Sequence, residues 1–142
     1  MPELTSRDDL ERVLRETRTV AVLGAHLERH RPAFYVPDYL FAHGYRILPV
    51  NPHLVGRTLW DEPVVATLAE LGEPVDVVDV FRRPAAVPEH VADILAMQPR
   101  PKVVWLQLGI RNDKAATELV AAGIDVVQNH CMLADHKAFG LG

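Results

Sequence analysis

Five short apolar runs, each closing on a small or polar residue, set the pattern of this chain. They read Thr19-Val-Ala-Val-Leu-Gly-Ala25, Arg46-Ile-Leu-Pro-Val-Asn-Pro52, Val75-Asp-Val-Val-Asp-Val-Phe-Arg-Arg-Pro84, Lys102-Val-Val-Trp-Leu-Gln-Leu-Gly109 and Asp125-Val-Val-Gln-Asn-His-Cys131. β-Branched runs of this length, bounded by Gly, Pro and polar residues, predict strands buried on both faces. Helical patterns lie between most of them. The opening helix is expected over residues 6–17, with Ser6 and Asp9 spaced as in a capping box and Leu10, Val13 and Leu14 forming one apolar stripe. A long connection over residues 25–36 leads to a helix expected to begin near Pro37 and to stop at Gly44. Residues 52–63 read as irregular, and a short helix is expected over 64–71. Another is expected over 85–97, with Pro88 in its first turn. A helix over 113–122, capped by Asn112 and ended by Gly123, precedes the fifth strand and a short C-terminal helix. The alternation predicts an α/β chain with right-handed crossovers and a doubly wound, parallel, five-stranded sheet, ordered 3-2-1-4-5, in a single domain over residues 1–142.

Composition narrows the classes of function. A chain of 142 residues supports one hydrophobic core. Its net charge of -4 and pI near 5.9 argue against a nucleic-acid partner, which needs a basic surface. No apolar run approaches the roughly 20 residues that cross a bilayer, so no membrane association is expected. The N-terminal residues carry acids and no apolar core of a secretory signal. One cysteine makes no internal disulfide. These features together give a cytoplasmic location as the expectation, with a small molecule as ligand and the protein partner left open.

Open parallel sheets bind ligands beyond the carboxyl ends of their strands, so the tips of the five runs carry the chemistry. The first turn has a single glycine, Gly24, and lacks the three-glycine dinucleotide fingerprint. Arg29, His30 and Arg31 follow in the same loop, suited either to a phosphate at a helix N-terminus or to solvent. The second tip is Asn51-Pro52, where an NAD site would carry an acid for the ribose hydroxyls, and this disfavours NAD. Asn51 also suits a turn cap. Asp76 reads as a strand-entrance residue. Asp79, inside an apolar run, is expected to find backbone or arginine partners, because a buried carboxylate needs them. Phe81-Arg82-Arg83-Pro84 sets two guanidinium groups at the binding edge, suited to an anion. Gln107 offers a donor and an acceptor, Gly109 permits close approach, and Trp105 alternates with Val103 as core. Cys131 reads as a pocket-lining thiol; a nucleophile with His130 or His136 as base is the alternative. No His-Glu-x-x-His or paired-cysteine spacing occurs, so no metal site is expected.

The order of Ala-Val-Leu-Gly, Gly-Tyr-Arg-Ile-Leu-Pro-Val-Asn-Pro, Pro-Val-Asp-Val-Val-Asp-Val-Phe-Arg-Arg-Pro and Val-Val-Trp-Leu-Gln-Leu-Gly, with a late Cys131, resembles the small stand-alone CoA-binding protein family from Thr19 to about Lys137. More distantly it is similar to the CoA-binding domain of the succinyl-CoA synthetase α subunit, whose late Asn-Cys is like Asn129-x-Cys131 here. The resemblance implies a Rossmann-like fold that binds coenzyme A or an acyl-CoA at the strand tips. By that likeness Gly24, Ala25, His26, Arg31, Pro32 and Ala33 belong to the phosphate end. Asn51, Pro52, Val80, Phe81, Arg82 and Arg83 would line the adenosine and pantetheine path, followed by Gln107, Gly109, Asn129 and Cys131. Family members commonly carry Ser and Gly where this chain has Ala33 and Tyr35, which removes a hydroxyl donor. The implied function is ligand binding without catalysis. The alternatives are a small acyl-CoA hydrolase or transferase using Cys131, or Asp79 with a nearby His, and a CoA-linked redox or regulatory module.

Overall fold

The computed structural model describes residues 3–141, so the termini of the expected 1–142 domain lie outside it. Helix α1 spans Arg7–Glu16, where Ser6 Oγ accepts from Asp9 N at 3.1 Å and Leu10, Val13 and Leu14 are buried. There follow β1 (Thr19–Leu23), α2 (Pro32–Ala42), β2 (Arg46–Val50), a hairpin of β3 (Thr58–Leu59) and β4 (Glu62–Pro63), and β5 (Val77–Val80). A 3-10 turn over Pro84–His90 runs into α3 (Val91–Leu95), then β6 (Val103–Leu106), α4 (Asp113–Ala121), β7 (Asp125–Val127) and α5 (Met132–Ala138). The five main strands are parallel, and alternate residues feed two cores. Ala21, Leu23, Val78 and Val80 pack with Val91 and Ile94 of α3 and Leu119 of α4. Val20, Val22, Val77 and Trp105 pack with Leu14 of α1, Val36 and Leu40 of α2 and Met132 of α5. Trp105 is fully buried, as its alternation with Val103 required.

The sheet is the expected parallel, Rossmann-like one, but its order is β2-β1-β5-β6-β7. The third main strand therefore lies beside the first, which corrects the 3-2-1-4-5 order. Two features of the chain account for it. Pro49 sits in β2 and has no N–H to offer a further strand, which confines β2 to an edge. Its carbonyl instead accepts from Val65 N at 3.2 Å, and Asn51 N donates to Val65 O at 2.9 Å. On the other side, Asp76 Oδ2 accepts from Arg18 N at 2.8 Å and Thr19 N at 3.1 Å, fastening the entrance of β5 to that of β1. Burial opposes the charge on Asp76, yet these two amides and Lys102 hold its carboxyl below the usual range.

Helix α2 begins at Pro32, five residues before the expected start, with Pro37 inside it. Proline in a helix leaves the carbonyl four residues back without its amide. That carbonyl belongs to Ala33, and it accepts from His26 N at 3.3 Å. The helix is thereby tied to the loop that feeds it. The expected helix over 85–97 is split into the Pro84–His90 turn and α3, and the one over 64–71 shrinks to a 3-10 turn at Leu68–Leu71. The irregular 52–63 segment contains the β3–β4 hairpin. Its turn residues Trp60 and Asp61 both have positive φ, 53° and 64°. Trp60 is held there by packing at 5.6 Å on Phe34 and by donating from Nε1 to Asp38 Oδ1 at 3.1 Å. Among the described residues no helix is long and apolar enough to cross a membrane.

Asp79 departs most from expectation. It is 0% exposed, and neither carboxylate oxygen has a hydrogen-bond partner among the described residues. Neither backbone nor arginine reaches it, because it stands mid-strand between Val22 of β1 and Trp105 of β6. Burial therefore drives its pKa well above the carboxylate range, and the group is a neutral acid. In the unfolded chain it loses its proton near pH 3.9, whereas the folded state keeps it. Stability is then lost as pH rises above that value and until the raised pKa is reached. Asp79→Asn keeps the shape and removes the titration. Urea unfolding at pH 5 and pH 8 is expected to show the wild type losing stability relative to the variant, by up to about 1.4 kcal/mol per pH unit. Equal pH slopes in the two proteins would refute the neutral carboxyl.

Candidate functional site

The crossovers from β1 and β5 leave to opposite faces of the sheet, to α2 and to α3. A crevice opens between two such strands at their carboxyl ends. Gly24 makes this junction. Its φ is +92°, and a Cβ there would lie 2.6 Å from the Phe81 carbonyl oxygen. Phe81 N donates to Leu23 O at 2.9 Å, and Gly24 N donates to Val50 O at 2.9 Å. Asn51 adds a third tie through Nδ2 to Ala25 O at 2.8 Å, while its Oδ1 accepts from His53 N at 2.8 Å and caps a 3-10 turn. Three strand tips are laced together beneath the opening.

Above them lies a cleft of about 410 Å³. One wall is the start of α2, with Arg31, Pro32, Ala33, Tyr35 and Val36. The other is Phe81, Arg82 and Arg83, and the far end is Gln107, Leu108, Ile110 and Cys131. Arg31 Nε donates to Glu28 Oε2 at 3.1 Å, and His30 stands 3.3 Å from the same carboxylate. Arg82 Nε donates to His90 Nε2 at 3.2 Å. Arg83 forms no ion pair among the described residues. Gln107 is buried; its Oε1 accepts from Met132 N at 3.1 Å, which leaves its amide NH2 for the cleft. Cys131 is half-buried in the wall. Its neighbour His130 has Nδ1 3.0 Å from Asp135 Oδ2 and does not line the cleft. Asp135 is held above the usual carboxylate range by burial, against the pull of His130.

Ten of the expected residues therefore share one cleft: Gly24, His26, Arg31, Pro32, Ala33, Phe81, Arg82, Arg83, Gln107 and Cys131. Ala25 and Val80 are buried in the cores below it. Asn51 and Pro52 mark the β2 tip to one side. Gly109 and Asn129 brace the far end, where Asn129, itself at φ 59°, accepts from Gly109 N at 2.7 Å. Sequence reasoning passed over Val36, Leu108 and Ile110 as cleft residues. Leu108 could have been found as an apolar residue between the tip positions Gln107 and Gly109; it is 68% exposed. Among the described residues no group of three or more His, Cys, Asp or Glu could hold a metal ion.

Fold and cleft together define a small Rossmann-like domain with a cationic, glycine-turned crevice at its strand tips. Residues 18–137 match the model described as CoA binding domain, and the chain belongs to that family. A solved Thermus thermophilus protein, cell-free ID.343, is similar at 46% identity and TM-score 0.89, over 94% of this chain and 98% of that one. A hypothetical protein from Pyrococcus horikoshii OT3 is similar at 28% identity and TM-score 0.88 over the whole of both chains. Among curated proteins, the uncharacterized YneT of Bacillus subtilis (strain 168) is 29% identical over 135 residues, covering 92% of this chain and 94% of its own.

The Gly24 junction is open to a direct test. Gly123 also has positive φ, +88°, but nothing stands within 4 Å of its would-be Cβ. Gly123→Ala is expected to cost roughly 1–2 kcal/mol, the left-handed backbone strain alone. Gly24→Ala must add the collision with a backbone oxygen, so denaturant unfolding should show a clearly larger loss. Equal losses would mean that the β1 and β5 tips need no such close approach.

Proposed function

We propose that this protein holds coenzyme A or an acyl-CoA in the cleft at the β1–β5 junction and does not itself transform it. The observation that carries the reading is the composition of one continuous cleft. Arginines from two elements line it together with apolar Phe81, Leu108 and Ile110 and with Gln107 and Cys131. A cleft of this volume lies within the roughly 300–1,000 Å³ range of small-molecule sites. Membership of the CoA binding domain family selects the ligand from among the anions such a cleft could accept.

The residues fit that ligand by their donor chemistry. Arg31, Arg82 and Arg83 supply charge-assisted donors for phosphates, and the start of α2 adds the positive end of a helix dipole. The Gln107 amide suits a pantetheine carbonyl, and Cys131 would lie beside the thiol or thioester end. Ala33 provides no hydroxyl donor to a phosphate. The non-catalytic reading draws support from the placing of the two candidate bases, His130 and His136, neither of which lines the cleft beside Cys131.

Calorimetric titration with CoA, dephospho-CoA and NAD tests the ligand. CoA is expected to bind and NAD to give no comparable heat; tight NAD binding without a response to CoA would sink the reading. Replacing both Arg82 and Arg83 by Ala removes charge-assisted bonds worth roughly 1.5–3 kcal/mol each, so CoA affinity should fall at least tenfold. Cys131→Ala is expected to retain CoA affinity. Thioester cleavage by the wild type that vanishes in Cys131→Ala would replace the binding reading with an acyl-CoA hydrolase.

A further inference from the structure

Among the described residues no carboxylate lies within hydrogen-bond distance of Arg82. The nearest carboxylate oxygen, Glu89 Oε1, is 3.7 Å from its Nη2, whereas its Nε–H donates to His90 Nε2 at 3.2 Å. A ring nitrogen that accepts carries no proton, so His90 is neutral with its proton on Nδ1. That Nδ1 is itself buried and has no hydrogen-bond partner among the described residues; Asp93 Oδ2 stands 3.8 Å away. The arginine stem lies over the first turn, its Cδ 3.4 Å from where a Gly24 Cβ would be. His90 closes the 3-10 turn that starts at Pro84, directly after the two arginines. The turn folds back and returns a hydrogen-bond acceptor to the strand tip it has just left.

We propose that His90 is a positioning residue for ligand recognition: as a neutral acceptor it holds Arg82 over the Gly24 turn, leaving the other guanidinium N–H groups for an anionic group of the ligand. The ligand's identity in this inference rests on the CoA-binding reading. A second proton on His90 would set an Nε2–H against the Arg82 Nε–H and place two cations in contact, so the arginine would be released. The charged groups that face the ring are Arg82 from the β5 tip and Glu89 and Asp93 from its own segment. Both carboxylates lie 3.8 Å from the ring nitrogens and are more than half exposed, so solvent screens them. Burial first, and then Arg82, hold the His90 pKa below that of an ordinary histidine. Neutral solution therefore leaves the acceptor intact, and acidification removes it.

Two variants and one spectroscopic measurement test this. His90→Phe fills the space without an acceptor, and His90→Gln restores one near the position of Nε2. CoA affinity at pH 7.5 is expected to fall about tenfold in His90→Phe, as loss of a hydrogen bond to a charged group predicts, and to return to within about twofold in His90→Gln. The double variant with Arg82→Ala should bind no more weakly than Arg82→Ala alone, because both changes remove one interaction. As the pH falls from 7.5 through the lowered His90 pKa, the wild type should lose more affinity than His90→Gln, a comparison in which titration of the ligand's own phosphate cancels. Nitrogen NMR of the ligand-free wild type should show the Nδ1–H tautomer of His90. Additive losses in the double variant, an Nε2–H tautomer, or wild-type affinity in a folded His90→Phe would each overturn the assignment. If the wild type binds no CoA, the functional reading falls and this inference with it; if it binds and His90→Phe binds equally, the inference alone falls.

Discussion

Everything at the functional edge depends on how closely β1 approaches β5. The Phe81 carbonyl occupies the space where any side chain at position 24 would begin, so glycine is required there on steric as well as torsional grounds. That contact fixes where the chain leaves β1 for α2, and hence where Arg31 stands relative to Arg82 and Arg83. It also makes the single glycine intelligible. In a three-glycine turn, backbone comes close to a pyrophosphate as well as to a strand. Here the one glycine serves strand against strand, and the cationic groups that line the cleft are arginine side chains.

Proline directs much of the remaining architecture by the hydrogen bonds it withholds. Pro49 leaves β2 one donor short in the middle of its outer side, so the third main strand pairs with β1 and the switch point falls between β1 and β5. Pro37 releases the Ala33 carbonyl, and His26 N takes it, binding loop to helix on the cleft's own wall. Pro84 and Pro88 favour a tight 3-10 turn after the arginine pair in place of a longer helix, and this turn brings His90 back to Arg82. In each case an unavailable N–H is answered by a neighbour that helps to shape the site.

The strands were legible because buried parallel strands read as unbroken apolar runs, and most of the cleft followed from their tips. The sheet order was less legible, since it turns on which edge of β2 faces outward and on a carboxylate, Asp76, that joins residues 58 positions apart in sequence. Helix α2 was placed too late because Pro37 looked like a start, whereas Pro32 at the first helical position and the rescue of the Ala33 carbonyl make it an interior residue. Leu108 and Ile110 escaped notice because apolar residues at a strand tip read as core until the cleft beside them is seen. The Arg82–His90 bond depends on the Pro84–His90 turn, which the unbroken helix expected over 85–97 does not contain.

The buried acid beneath this site matters to the charges above it. Asp79 lies in β5 three positions before Arg82, which follows the end of that strand. An ionised carboxylate there, out of solvent, would oppose the arginines through a low-dielectric path and weaken the pull on an anion. Because burial keeps Asp79 protonated, the cationic end of the cleft is not neutralised from below. Neutral His90 acts in the same sense from the side, since it accepts from Arg82 without adding negative charge. The carboxylates near the arginines, Glu28 and Glu89, are both largely exposed, where solvent weakens their hold. A chain of net charge -4 thus keeps a cationic crevice by burying Asp79 uncharged and leaving the competing acids to water.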